Sequence, residues 1–373
     1  MKKVLFVFGT RPEAIKMSSL FLEFKKSKVF ETKLCVTSQH KEMLSQILKF
    51  FEIVPDYDLD VMKPNQNLFG LTSEILNKIK SVLESYDPDL VMVHGDTTSG
   101  MTASLASFYN KSKVCHVEAG LRTYNKLSPY PEEMNRKLIA SLADYHFCPT
   151  NISKNNLLKE QIDEKNILVC GNTVIDSLKI SINKILKSPS KLILELKNNI
   201  KKDKFILVTA HRRENHGDGI KNICESLIEI SKQNKSLKII FPVHLNPKVR
   251  KPVYEILGNT KNIILTDPMN YQDFIWLMNK CEIVISDSGG VQEEAPTFGK
   301  PVLVLRDSTE RPEALNAGTV ILVGTNKKSI INNTNELLND GVKYKKFSNL
   351  ANPYGDGTAS TRIRNFMEKK FTI

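Results

Sequence analysis

Val4-Leu5-Phe6-Val7-Phe8-Gly9-Thr10-Arg11-Pro12-Glu13 follows the short basic opening Met1-Lys2-Lys3. Five apolar residues in a row, two of them valine and two phenylalanine, fit a strand buried on both faces. The next residues cannot extend it. Gly9 turns the chain, Thr10 is suited to cap a helix, and Pro12 and Glu13 belong in a first helical turn. A buried strand that feeds directly into a helix is the repeating unit of a parallel α/β sheet. The same stretch reads against a secretory signal peptide, because its polar turn interrupts the apolar run too early.

Outward from this unit the pattern recurs. Short apolar runs at 33–37, 90–94, 114–117 and 145–148 join 4–8 as a first set of expected strands. Runs at 205–209, 239–242, 263–265, 283–286 and 302–305 form a second set. Longer amphipathic stretches separate them. The expected fold class is therefore α/β, with two doubly wound parallel sheets. A helical stretch at 174–186, then Ser188-Pro189-Ser190, places the boundary between Cys170 and residue 202. The expected domains are 1–172, with a C-terminal helix at about 358–373 packing back on it, and 173–357.

Bulk properties agree with this reading. A chain of 373 residues is long for one core, and 41% hydrophobic with 25% charged residues is ordinary for a globular protein. The net charge of +12 comes from lysines dispersed along the chain, without the basic–aromatic interleaving of a nucleic-acid surface. Nucleic acid is not an expected partner. The six cysteines lack CxxC or zinc-like spacing, and Cys35, Cys115, Cys148, Cys170 and Cys281 sit in or beside apolar runs, as buried thiols of a reducing compartment do. No segment is long enough to span a bilayer, so the expected location is the cytoplasm.

Polar motifs follow the expected strands directly: Gly95-Asp96-Thr97-Thr98, Glu118-Ala119-Gly120-Leu121-Arg122, His211-Arg212-Arg213-Glu214-Asn215, His244-Leu245-Asn246-Pro247, Ser286-Asp287-Ser288-Gly289-Gly290 and Arg306-Asp307-Ser308. Carboxyl ends of strands form the ligand crevice of doubly wound sheets. The expectation is a central cleft into which two such domains pool these loops.

Each motif also has an ordinary reading. Ser288 can cap a helix, but Ser288-Gly289-Gly290 equally lets an anion approach backbone N–H groups, and Glu294 lies within reach of ribose hydroxyls. Capping accounts for Thr10 and Glu13 but not for Arg11 and Lys16 one turn apart, which suit phosphate oxygens. Asp96 reads as the N-cap of a helix beginning near Thr98. Glu132 and Glu133 follow Pro131, where acids are favoured at a helix start anyway. Glu118, after an apolar strand and beside Gly120 and Arg122, reads as a site residue. His211, between a strand and two arginines, is a candidate for general acid or phosphate contact. Arg306 and Arg311 fit either a salt-bridged loop or a diphosphate clamp. HExxH, a divalent-metal cluster, a Walker A loop and GxGxxG are all missing, so neither metal nor NAD is expected.

Taken together, Gly9-Thr10-Arg11-Pro12-Glu13-Ala14-Ile15-Lys16-Met17, Val93-His94-Gly95-Asp96-Thr97, His116-Val117-Glu118-Ala119-Gly120-Leu121-Arg122-Thr123, Pro131-Glu132-Glu133-Met134-Asn135-Arg136, the motifs at 211–215, 244–247 and 286–296, and Thr309-Glu310-Arg311-Pro312-Glu313 resemble the bacterial non-hydrolysing UDP-N-acetylglucosamine 2-epimerases. The resemblance runs from Val4 to about Arg364. Pro12-Glu13-Ala14 points away from hydrolysing relatives, which release UDP and free N-acetylmannosamine. It implies a GT-B-like fold and an isomerase that needs no cofactor. The implied reaction is reversible C2 epimerisation of UDP-N-acetylglucosamine to UDP-N-acetylmannosamine. It proceeds through loss of UDP to 2-acetamidoglucal and re-addition, and supplies cell-surface polysaccharide synthesis.

The resemblance also implies roles. Asp96, Glu118 and Glu132 would handle the C2 proton, while Arg11, Lys16, His211, Ser288, Gly289, Gly290 and Arg311 would hold departing UDP. Met269 would contact uracil through its backbone, Phe274 would stack near it, and Glu294 would hold the ribose. Some family members bind a second UDP-N-acetylglucosamine as activator. The matching positions are Gln39, Glu42, Asn65, Glu132, Arg212 and His244, with Glu42 and Asn65 departing from the Gln and Arg of that pattern. A homodimer is the implied assembly. Three other readings stay open: an epimerase of a modified UDP-sugar, a GT-B glycosyltransferase, and a UDP-sugar sensor.

Overall fold

The structure is a computed structural model that describes residues 1–201 and 203–371. The chain forms two compact units, one of Met1–Ser177 with Gly355–Ile373 and the other of Leu178–Tyr354. The first unit holds strands β1 (Lys2–Phe8), β2 (Phe30–Val36), β3 (Tyr57–Asp58), β4 (Leu90–His94), β5 (Lys113–Val117), β6 (Tyr145–Cys148) and β7 (Ile167–Val169). They form one sheet in the order β3-β2-β1-β4-β5-β6-β7. The second unit holds β8 (Phe205–Thr209), β9 (Lys238–Pro242), β10 (Ile263–Thr266), β11 (Ile283–Ser286), β12 (Val302–Val304) and β13 (Val320–Leu322), in the order β10-β9-β8-β11-β12-β13. Every strand pairing is parallel.

Ten of these strands coincide with runs expected from the sequence. The three that do not, β3, β7 and β13, all lie at sheet edges and are two or three residues long. β3 has no apolar run, and β7 and β13 are apolar, Ile167-Leu168-Val169 and Val320-Ile321-Leu322, but only as long as an ordinary buried helix turn.

Helices cover both sheets. In the first unit Leu5, Val7, Val91 and Val93 pack with Ile75 and Ile79 of the helix Leu68–Tyr86. Phe6, from the opposite face of β1, meets Phe21 and Phe24 edge-on. In the second unit Ile206, Val208, Phe241, Ile285 and Leu303 share a core with Ile223, Leu227 and Ile230 of the helix Asp218–Gln233. All six cysteines are buried free thiols. Among the described residues no helix is long and apolar enough to cross a membrane.

The helix Ala359–Phe371 belongs to the first unit. Buried Asp176 accepts hydrogen bonds from the Ala359 and Ser360 amides at 3.2 and 2.8 Å, closing the start of this helix. Arg364 pairs with Glu23 at 2.7 Å, and Phe366 meets Tyr145 and Phe147 edge-on. Of the helix expected at about 358–373, residues 372 and 373 lie outside the described residues.

Both sheets reverse direction once. The chain moves outward from β1 to β3, then resumes on the other side of β1 with β4; the second unit does the same about β8 and β11. These switch points, at the carboxyl ends of the strands, are where doubly wound sheets bind ligands.

Candidate active site

In the first unit the turns after β1, β4 and β5 are fastened together at the switch point. Gly9 is required there, because a Cβ would stand 1.7 Å from Thr37 Oγ1 and 2.9 Å from Ser99 Oγ. Thr10 caps the helix Arg11–Phe24, as expected, and Glu13 completes a capping box. The Glu13 carboxylate accepts from the Gly9 and Thr10 amides at 3.0 and 2.8 Å and from Thr97 Oγ1 at 2.7 Å. It is fully occupied in tying the β1 turn to the β4 turn.

Glu118 follows β5 in the left-handed region, with φ 62°. An L residue adopts this conformation only under constraint from its surroundings, and such positions cluster at functional sites. Its side chain is almost buried. Lys16 forms an ion pair with Oε2, Asn172 Nδ2 donates to the same oxygen at 2.8 Å, and His94 Nε2 lies 3.7 Å from it. Burial by itself would raise the Glu118 pKa. The Lys16 charge and His94 outweigh it and hold the carboxyl well below the usual range. The group is an anion at neutral pH. Beneath it, His116 Nε2 lies 2.7 Å from the Gly95 carbonyl, and burial pushes the His116 pKa down to about 3. His116 is therefore neutral and donates through Nε2–H.

The other expected acids separate. Asp96 does not cap the helix Thr98–Tyr109; Thr97 does, accepting from the Gly100 amide at 2.9 Å. Asp96 instead pairs with Arg136 at 2.7 Å, while Asn135 Nδ2 donates to the Asp96 carbonyl at 2.8 Å. Glu132 and Glu133 read alike in the sequence, as acids favoured in a first helical turn, and the structure divides them. Glu133 is buried and accepts from the Thr123 and Tyr124 amides at 3.0 Å each and from Arg136 at 3.1 Å. Glu132 is partly buried and makes no hydrogen bond or ion pair among the described residues. Arg122, beside Glu118 in the sequence, is held by Glu160 through two bonds of 2.7 and 2.8 Å and supports the fold. Arg11 opens the helix Arg11–Phe24, one turn before Lys16.

In the second unit the switch point presents cations. Gly289 begins a short helix, Gly289–Glu294. A Cβ at Gly289 would stand 3.7 Å from the Arg311 guanidinium and 3.8 Å from that of Arg212. Two guanidinium groups thus face one stretch of glycine backbone, an arrangement suited to an anion. Arg311 is aimed by an ion pair with Glu293 and by Thr309 Oγ1, which accepts from the Arg311 amide at 3.1 Å. Ser288 occupies the N-cap position, but its side chain makes no capping bond. Glu294 Oε1 lies 3.5 Å from where Gly290 would carry a Cβ.

His211 is set by Asp287. The fully buried Asp287 accepts from the His211 and Arg212 amides at 2.9 and 2.8 Å and from Asn215 Nδ2 at 3.0 Å, all on Oδ2. Its Oδ1 lies 3.2 Å from His211 Nδ1. Burial holds the His211 imidazole below the ordinary histidine range, although Asp287 opposes the shift. The His211 ring stacks on His244 with centroids 5.7 Å apart. Met269 lies between β10 and the helix Tyr271–Lys280, which carries Phe274; both side chains are partly buried. Arg306 pairs with Glu214 at 2.6 Å and Glu310 at 3.7 Å, which makes it a salt-bridged loop residue.

Of the positions matched to an activator site, Arg212 and His244 adjoin His211 in the second unit. In the first unit Gln39 accepts from Ser99 Oγ at 2.9 Å, Glu42 is exposed at the start of the helix Lys41–Phe51, and Asn65 has φ 57°.

Sequence reading passed over four partners: His94, Asn172, Asp287 and Glu293. His94, Asp287 and Glu293 lie inside motifs already marked. Asn172 follows β7, whose three apolar residues Ile167-Leu168-Val169 are too few to mark a strand end and so draw attention to its loop.

The family model for UDP-N-acetylglucosamine 2-epimerase matches residues 22–368. The UDP-N-acetylglucosamine 2-epimerase of Escherichia coli is 53% identical over 365 residues, covering 97% of each chain. That of Neisseria meningitidis is 52% identical over 363 residues, covering 97% of this chain and 98% of its own. A crystal structure of UDP-GlcNAc 2-epimerase from Neisseria meningitidis bound to UDP-GlcNAc superposes with a TM-score of 0.88 at 51% identity, covering 98% of this chain and 100% of that one. The fold is accordingly GT-B-like. With agreement this extensive in sequence and in architecture, the chain belongs to the UDP-N-acetylglucosamine 2-epimerase family.

Proposed function

We propose that this chain interconverts UDP-N-acetylglucosamine and UDP-N-acetylmannosamine by eliminating and re-adding UDP. The observation that carries the reading is Glu118: a carboxylate kept ionised at a strand end by Lys16 and Asn172, in a unit that also presents Asp96 and Glu132.

The substrate's C2 hydrogen is weakly acidic, so direct inversion is slow. Departure of UDP changes that. As the C1–O bond breaks, its electron pair leaves with the diphosphate, a carboxylate removes the C2 proton, and a C1–C2 double bond forms in 2-acetamidoglucal. Re-addition returns a diphosphate oxygen to C1 and delivers a proton to the opposite face of C2. Carboxylates on both faces of the sugar are needed, and Asp96, Glu118 and Glu132 are assigned to that work. Arg11, Lys16, His211, the Ser288-Gly289-Gly290 turn and Arg311 stabilise the leaving diphosphate. Phe274 and the Met269 backbone meet uracil, and Glu294 holds the ribose. Neither metal nor nicotinamide enters this scheme. The free glucal must stay bound between the two half-reactions, which calls for a site closed to water. The reaction is placed in the cytoplasm of a bacterial cell, carried out by a homodimer, with the product feeding surface polysaccharide synthesis.

Incubation with UDP-N-acetylglucosamine in deuterated water, followed by proton NMR, tests the reading. The expected product is UDP-N-acetylmannosamine carrying deuterium at C2. Stoichiometric free UDP and free sugar would instead indicate a hydrolase, and an unchanged substrate would sink the proposal.

A further inference from the structure

The Glu118 carboxylate is engaged asymmetrically. Lys16, Asn172 and His94 all approach Oε2, and Oε1 has no hydrogen-bond partner among the described residues. Oε1 borders Gly95, where a Cβ would stand 3.8 Å away. The three groups at Oε2 differ in what they can fix. Lysine brings charge on a flexible four-carbon stem, which gives little direction. His94 Nε2 is buried without a hydrogen-bond partner among the described residues and lies 3.7 Å from Oε2, too far to direct it. Only Asn172 has its geometry set from both ends of the amide. Its Oδ1 accepts from the Val174 amide at 3.0 Å at the start of the helix Thr173–Lys187, which fixes the plane from which Nδ2 reaches Glu118.

The backbone of Asn172 is itself braced. The returning chain passes against it at Gly355, whose φ of 128° suits glycine alone. A Cβ on Gly355 would stand 3.3 Å from Gly171 Cα and 3.6 Å from the Asn172 nitrogen. Gly171 and Gly355 let the two segments approach this closely. The position of Glu118 thus depends on a residue 54 places later in the chain, itself held by a helix start and by the C-terminal return.

We propose that Asn172 is a positioning residue that aims Glu118, holding Oε2 so that Oε1 is left to exchange the proton at the substrate's C2. This rests on the epimerase reading above. Displacement of a reacting group by about 1 Å costs on the order of a hundredfold in rate, so an amide that sets carboxylate direction is expected to show in kcat.

Two variants separate aiming from folding. Asp and Ser cap helices about as well as Asn, so N172D and N172S keep an acceptor for the Val174 amide. Neither supplies the amide donor: Asp at this position only accepts, and Ser is too short to reach. Two measurements are made on the full chain: the rate of C2 deuterium incorporation, and the 13C-NMR titration of the Glu118 carboxylate without ligand. In N172S, kcat is expected to fall about tenfold to a hundredfold, with KM within about twofold of wild type. The Glu118 titration should move up by about one pH unit. N172D should be slower still, since it sets a second anion beside the first. Wild-type kcat and an unmoved Glu118 titration in both variants would overturn the inference. So would loss of kcat together with thermal stability while the titration stays put, since that assigns Asn172 to the fold alone. Absence of C2 deuterium with the wild-type chain defeats the epimerase reading instead, and is told apart because the carboxylate titration still reports on Asn172.

Discussion

Glu118 and Asp287 are both buried carboxylates at the switch point of a parallel sheet, and they are used in opposite ways. Asp287 accepts three N–H donors on one oxygen, faces the His211 ring with the other, and so serves as a bracket that shapes the β8 turn. Glu118 takes its partners on one oxygen and keeps the other unengaged among the described residues. Around Asp287 the outward groups are guanidiniums and an imidazole, suited to an anion. Around Glu118 the groups are the Lys16 ammonium, the Asn172 amide and His94, all on Oε2, while Oε1 borders Gly95. The same topology thus yields a carboxylate with one oxygen unengaged in one unit and a saturated one that brackets a turn in the other. What decides between them is how completely local donors saturate the carboxylate.

Replacing the two kinds of group should separate their effects. The largest is expected for Glu118→Gln, which removes the anion while keeping the shape: C2 deuterium incorporation should fall about 10²–10⁴-fold, with UDP affinity by calorimetry unchanged. Weaker UDP binding in this variant would break the division between a reagent unit and an anion-holding unit.

Acid should act next, and on the first unit before the second. His116 and His146 are register partners on β5 and β6, and burial pushes their pKa values down to about 3 and about 4. The unfolded chain binds protons near pH 6.5 that the folded chain refuses. The stabilisation is therefore complete above that pH and is lost as pH falls toward the folded values. At pH 5 each histidine is expected to cost about 2 kcal/mol. Hydrogen exchange should show β5 and β6 opening at a higher pH than β8 and β11; simultaneous opening would contradict the contrast.

Arg311→Lys probes the second unit more gently. It preserves a charge for Glu293 but loses the planar fork beside Gly289, so UDP should bind about tenfold more weakly. With saturating substrate, kcat should change far less than in Glu118→Gln. The smallest effect is expected from Asp176→Ala. The Ala359 and Ser360 amides would lose their acceptor, at a cost of about 1 kcal/mol, visible as faster exchange in the helix Ala359–Phe371.

Much of this molecule was legible before any coordinates. The run 4–8 and its counterparts mark ten strands, because a central strand covered on both faces must be continuously apolar. The turns between them stand out as candidate ligand loops, because Gly, charged residues and His gather at strand ends beyond what a turn needs. What stayed hidden was the fate of each acid. Asp96 read as a cap and is an Arg136 partner; Glu132 and Glu133 read alike, yet one is saturated by Thr123, Tyr124 and Arg136 and the other is not.

Sequence by itself determined the alternation of strand and helix, the two sheets, and the loops that carry charge, since each follows from residues close together in the chain. Only tertiary structure decided which carboxylates are saturated by donors and which keep an oxygen unengaged. A buried acid is defined by its donors, and those of Glu118 come from 102 positions before it and 54 after it. Local pattern cannot supply partners that distance in the chain keeps apart until the sheet is formed.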